Sequence, residues 1–182
     1  MTHYRRPDSE GATWFFTVVT YQRRSFLCDR EVRASLREAI TRTRTSYPFR
    51  INAWVLLPDH FHCIWTLPEN DSNFQLRIRL IKRHVTLKCS ELLHDDKLNT
   101  PSRRKRNEST IWQRRFWEHQ ILSDEDFQHH MDYIHYNPVK HGLSQSAIEW
   151  PYSTFHQLVS REIYPRDWAS NPEDHETKTY GE

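Results

Sequence analysis

Residues 12 to 20, "ATWFFTVVT", form an unbroken β-branched and aromatic run, the pattern of a buried strand. Asp29 then stands before a segment in which Val32, Leu36, Ala39 and Thr43 recur at helical spacing, which predicts a helix with Asp29 as its N-cap and "SYPF" as its end. Residues 49 to 57 and 60 to 67 read as two further strands joined tightly at Pro58-Asp59, where both residue types favour a turn. A second long helix is predicted over residues 73 to 93. Phe74, Ile78, Ile81, Val85, Cys89 and Leu92 form one apolar stripe, Leu76, Leu80 and Leu87 a second on the opposite side, and the basic residues Arg77, Arg79, Lys82, Arg83 and Lys88 lie on the flanks. Residues 94 to 109 are polar and read as a flexible, positively charged loop. "TIWQRRFWEHQIL" then gives one or two strands, and Ser123 caps a third helix through Tyr136, which Pro138 and Gly142 end. The order β-α-β-β-α-β-α predicts an α+β fold: a ferredoxin-like split βαβ antiparallel sheet with helices on one face.

Composition narrows the class of protein. The chain has 182 residues, which suits one domain, expected over residues 1–160, followed by a polar acidic C-terminal tail over 161–182 that is disordered past Asn171. No stretch approaches the roughly 20 apolar residues of a membrane span, and the N-terminal "MTHYRRPDSEG" lacks the apolar core of a secretory signal. Cys28, Cys63 and Cys89 are odd in number, widely spaced and free of any CxxC pair, so a reduced, cytoplasmic protein is expected. The net charge of +2 hides an asymmetry: residues 162 to 182 carry six acids against Arg166 and Lys178, so the body is basic and the tail acidic. Such a body suits a phosphate backbone without requiring one.

The candidate chemistry begins in "LLPDHFHCIW". On a strand, His60 and His62 point the same way while Phe61 points into the opposite layer. Two imidazoles so placed can share one divalent cation, or can cap backbone groups in a half-buried sheet. On the third helix, at about 100° per residue, Asp126, His130, Tyr133 and Asn137 fall on a common face beside the core stripe of Phe127, Met131 and Ile134. If Asn137 is a third ligand beside the two histidines, Tyr133 is the phenol held next to the metal and Tyr136 points elsewhere; otherwise Tyr133 is a boundary tyrosine with its hydroxyl in water. A phenol is a weak nucleophile unless a cation or base assists it. A metal beside one tyrosine points to strand transfer, because attack by tyrosine conserves the phosphodiester bond energy that hydrolysis would lose.

"PDHFH" followed by "YIHYNPVKHGL", with "WQRRFWEHQI" before the helix and "WPYSTF" after it, resembles the REP-associated tyrosine transposases of bacteria, relatives of the single-tyrosine HUH (His-hydrophobic-His) transposases, over residues 12 to 156. The resemblance implies cleavage and rejoining of single-stranded DNA through a 5′-phosphotyrosine intermediate with a free 3′-OH, at hairpins formed by repetitive extragenic palindromes. It makes Tyr133 the nucleophile and His60 and His62 ligands of Mg²⁺ or Mn²⁺, in a cytoplasmic, nucleoid-associated enzyme that is a monomer or a homodimer. Insertion-sequence relatives usually place Gln four residues after the tyrosine, where this chain has the shorter Asn137. Asn137 would then reach the metal directly or through water, or another residue such as His130 would replace it. Thr154 stands for the second serine of the Trp-x-x-Ser-Ser-Phe motif and keeps the hydroxyl. Arg103, Arg104, Lys105, Arg106, Arg114 and Arg115 are the candidate phosphate contacts, as alternatives to a merely solvated basic loop, and Lys140 and His141 follow the helix near the scissile region. Two rivals remain: a retired transposase that only binds hairpin DNA or RNA, and a nuclease using water, for which Asp126 is the one acid on the helix face.

Overall fold

A computed structural model describes residues 10–169. Its frame is a four-stranded sheet of β1 (Thr13–Val19), β2 (Arg50–Leu56), β3 (His60–Thr66) and β4 (Trp117–Gln120), in the order β2-β3-β1-β4, with every neighbouring pair antiparallel. This is the split βαβ arrangement that the element order predicts. Alternation along the central strands divides the core into two layers. Trp14, Phe16, Val18, Phe61, Cys63 and Trp65 pack beneath α1 (Arg30–Ser46) and α2 (Phe74–Lys88), while Phe15, Ala53, Val55 and Ile64 face α5 (Asp124–Lys140) and α6 (Phe155–Ser160). The two crossover helices therefore share one face as expected, but the C-terminal helices cover the other. The expectation of helices on one face is corrected in that respect, because Phe15 and Ile64 would otherwise leave an apolar face in water.

Three local expectations change. The second helix ends at Lys88, and after Cys89 a separate turn, α3 (Ser90–Leu93), follows. The segment from 94 to 109 is not a featureless loop: Thr100 caps α4 (Pro101–Lys105) by accepting from the Arg103 N–H, with Pro101 at the first helical position. The third long helix continues through Pro138 to Lys140 and ends where Gly142 adopts a φ of 66°. That extra turn decides where Lys140 and His141 stand.

Arg77 is not on a flank. It is fully buried, and its guanidinium forks onto Asp71 (2.6 and 3.0 Å) while donating to the carbonyls of Tyr47, Pro48 and Asn73. Arg77→Ala would remove the guanidinium from those carbonyls and leave the Asp71 carboxylate with only the Asn73 N–H, at 2.7 Å, as a donor among the described residues, so a loss of about 3–5 kcal/mol is expected. Urea denaturation monitored by circular dichroism measures it.

The edge of β2 is sealed by the segment around Ser153: the Leu56 N–H donates to the Tyr152 carbonyl and the Thr154 N–H to the Trp54 carbonyl. The Thr154 hydroxyl accepts from the Trp54 N–H and lies 3.1 Å from His135 Nε2, tying α5 to this edge. Burial pushes the His135 imidazole down to about 3, so it is neutral. Beyond α6, Tyr164 and Trp168 pack on Phe155, so the folded body runs past the boundary expected at residue 160. The tail expected beyond Asn171 lies outside the described residues. No described helix is long and apolar enough to cross a membrane.

Candidate active site

His60 and His62 project from β3 toward α5, opposite Val19 and Thr17 of β1. Their rings lie 4.8 Å apart, centroid to centroid, and both are buried. Each is oriented from behind through Nδ1. His60 Nδ1 lies 2.7 Å from the Asp59 carboxylate, and His62 Nδ1 lies 2.9 Å from the Thr17 hydroxyl. Burial alone would raise the Asp59 carboxyl, but the hydrogen bonds from His60 and Arg23 and the positive charge of Arg23 outweigh it and hold the group down at about 2. Ionised Asp59 can only accept, so His60 donates from Nδ1, which leaves Nε2 as the nitrogen that would turn to a cation.

Asp59 is itself fixed. Its second oxygen takes Arg23 at 3.0 Å, and its carbonyl takes the Thr20 N–H and hydroxyl at 2.8 and 2.9 Å. Arg23 reaches it from a turn in which Gln22 and Arg23 hold left-handed φ values of 55° and 52°, a conformation side-chain-bearing residues adopt at a cost.

The helix face read from the sequence is the one that meets this strand. The Tyr133 ring lies 5.1 Å from His62 and 6.0 Å from Phe15, and Lys140 Nζ lies 5.0 Å above it. Asn137, one turn further on and on the same face, is fully buried. His141 brings its ring to 5.4 Å from His60. Tyr133 is 2% exposed, while Lys140 and His141, at the end of the same helix, reach solvent.

A divalent cation fits this arrangement. His60 Nε2 is buried without a hydrogen-bond partner in the protein, which is costly unless something else occupies it. With both Nδ1 atoms committed to Asp59 and Thr17, Nε2 is the nitrogen that each ring would turn to a cation.

The basic candidates separate into two groups. Lys140 and His141 are at the histidines. Arg103, Arg104 and Arg114 line a groove of about 860 Å³ with Arg79, Lys82 and Trp112, on the α2 side of the sheet. Arg103 is buried there, stacked at 3.8 Å over Tyr21 and bonded to the carbonyls of Ser109 and Trp112. Arg106 pairs with Glu108 at 2.6 Å, and Arg114 approaches the same carboxylate at 3.5 Å. Arg104, Lys105 and Arg115 are exposed. Asp126, the acid on the helix face, is engaged by His119 and His130 over β4.

Thr17, Arg23 and Asp59 were not singled out by sequence reasoning as parts of the site. Asp59 had a signal, since it directly precedes the first histidine; Thr17 and Arg23 reach their places only through strand register and the turn after β1.

A split βαβ sheet with paired histidines on a central strand, overlaid by a helix bearing a tyrosine, defines the HUH class of single-tyrosine proteins. Comparison with known proteins agrees. Residues 12–137 match the family described as "Transposase IS200 like". The REP-associated tyrosine transposase of Escherichia coli (strain K12) is 46% identical over 174 residues, covering 96% of this chain and 94% of that one. A relative from Haemophilus influenzae is 45% identical over 174 residues, covering 95% and 96%. A solved REP-associated tyrosine transposase bound to a REP hairpin superposes with a TM-score of 0.80 at 45% identity, over 100% of this chain and 98% of that one. The chain belongs to the IS200-like transposase family, among its REP-associated tyrosine transposases.

Proposed function

We propose that this protein cleaves and rejoins single-stranded DNA beside REP-type hairpins, with Tyr133 as nucleophile and His60, His62 and Asn137 as the residues that would hold Mg²⁺ or Mn²⁺. The observation that carries the reading is the placement of the Tyr133 ring against His62, beside a histidine pair whose orientation is fixed by Asp59 and Thr17. When bound, the cation would polarise a non-bridging phosphate oxygen and neutralise charge that develops there.

The chain's own residues supply the rest. Tyr133 Oη attacks phosphorus and loses its proton. The bond from phosphorus to the 3′-oxygen breaks in line, and that oxygen takes a proton to become a free 3′-OH. The 5′-phosphate stays on the tyrosine, and attack by a 3′-OH reverses the step. Lys140 stands over the phenol ring, placed to meet the incoming phosphate. Because the site is nearly closed to solvent, DNA enters by displacing the last turn of α5. Pro138 suits that turn to movement, since it gives no N–H to the Ile134 carbonyl. Exposed Arg104, Lys105 and Arg115 would contact phosphates of the hairpin. Cytoplasmic, nucleoid-associated action follows from that substrate.

A nuclease that uses water needs a carboxylate base at the histidines. Asp59 is held ionised at about 2 and engaged by His60 and Arg23, which makes it a poor base, and Asp126 is engaged elsewhere. The test uses single-stranded hairpin oligonucleotides labelled at either end, incubated with Mn²⁺ and resolved on a denaturing gel. The 3′-terminal label is expected to migrate with the protein and the 5′-terminal label to leave as a free fragment. Release of both fragments would overturn the reading in favour of hydrolysis.

A further inference from the structure

Among the described residues, a second group of metal-ligating side chains gathers away from the paired histidines. His119 projects from β4, where it lies opposite Phe15 of β1, while Asp126 and His130 stand on successive turns of α5. His119 Nε2 lies 2.8 and 3.1 Å from the two Asp126 carboxylate oxygens, and His130 Nδ1 lies 3.0 Å from one of them. One ligand atom from each residue falls within 4.8 Å of the others. The two imidazoles are stacked, 4.7 Å apart and 15° from parallel. Phe15 lies between this group and the other, with its ring 4.7 Å from His130 and 5.5 Å from His62.

We propose that His119, Asp126 and His130 form a second metal site, distinct from the catalytic pair, that takes a borderline divalent cation such as Zn²⁺ and staples α5 to the edge strand β4. Two imidazoles and one carboxylate favour zinc, cobalt or nickel over magnesium, which prefers an all-oxygen shell and keeps its waters. The nitrogen–oxygen separations of about 3 Å are those between neighbouring ligands around an ion bound at roughly 2.0–2.1 Å. His119 and Asp126 are partly exposed, with side chains 35% and 22% accessible, so an ion can enter and water can complete the shell. His130 is buried beneath them.

Without a metal, Asp126 serves as a hydrogen-bonded bridge between the two imidazoles, and His130 Nδ1 also lies 2.9 Å from the Asp126 carbonyl. Coordination would exchange these bonds for metal–ligand bonds and draw the two imidazole nitrogens toward a common ion. Its consequence is mechanical: Asp126 and His130 lie on the helix that carries Tyr133, so an ion here would fix the N-terminal half of that helix while its last turn moves.

Co²⁺ serves as a spectroscopic probe of Zn²⁺ in the full chain. The variant His60→Ala/His62→Ala, with the catalytic pair removed, is expected to bind one equivalent with visible d–d absorption, and His119→Ala added to it is expected to abolish the signal. Because removing two buried histidines can impair folding, the same comparison is made with the catalytic pair intact: His119→Ala, at a partly exposed strand position, should lower the Zn²⁺ stoichiometry by one. The rise in melting temperature that Zn²⁺ gives the wild type should shrink with it. A stoichiometry and melting shift that His119→Ala leaves unchanged would overturn the second site. Both readouts are independent of DNA cleavage, so failure here is distinguishable from failure of the proposed reaction.

Discussion

Replacing Tyr133 with phenylalanine is expected to lower formation of the covalent protein–DNA adduct by at least about 10³-fold while hairpin affinity stays within about twofold of the wild type. The substitution removes one hydroxyl. The ring keeps its packing against His62 and Phe15 and its place beneath Lys140, so the fold and the arrangement of the paired histidines are retained. Loss of a single hydroxyl changes stability by about 1 kcal/mol. Adduct yield therefore reports chemistry alone. Single-turnover kinetics with a labelled hairpin and a gel-shift titration on the same preparation measure the two quantities. Cleavage persisting in the variant would assign the attack to water. Loss of binding together with adduct would mean that the phenol holds DNA rather than reacting with it.

The parts of this arrangement that were legible in the sequence are those governed by local periodicity. Strand alternation put His60 and His62 on one side, and helical spacing put Tyr133 and Asn137 on one face; the structure brings the two together because β3 is central and α5 crosses its outer face. What escaped depends on partners distant in the chain. Arg77 looks like a surface charge until the carbonyls of Tyr47 and Pro48, some 30 residues earlier, are brought to it. Its spacing did carry a hint, since it falls three residues after Phe74 and four before Ile81, both buried. Polarity over residues 94 to 109 suggested a loose loop, but the stacking of Arg103 on Tyr21 is a tertiary contact that composition does not encode. The end of α5 was misplaced for another reason. Proline disfavours a helix because it lacks an N–H, yet one missing bond did not end a helix otherwise packed on the sheet, and the chain turned only at Gly142. His119 passed unnoticed because only its register opposite Phe15 brings it beside Asp126 and His130.

The histidines and the groups behind them should fail in different ways when changed. On the proposed reading, His62→Ala would leave the cation one coordinating nitrogen short, and cleavage is expected to fall by more than about 100-fold with little recovery at high Mn²⁺, since added metal cannot restore the geometry. Asp59→Asn keeps both Nε2 atoms but replaces an ionised acceptor by an amide that no longer fixes the tautomer of His60 or attracts Arg23. Metal affinity should then drop by about 10–100-fold while the rate at saturating Mn²⁺ stays near that of the wild type. Thr17→Val should do the same more weakly at His62, because a hydroxyl orients the ring without bringing charge. The measurement is cleavage rate against Mn²⁺ concentration for the three variants. A midpoint shift with an intact plateau identifies a residue that orients a ligand, and a collapsed plateau identifies a ligand. If His62→Ala kept its plateau, the paired histidines would be structural. The buried Nε2 of His60 argues for the opposite outcome, because a buried nitrogen without a protein hydrogen-bond partner is a poor structural device and a natural metal ligand.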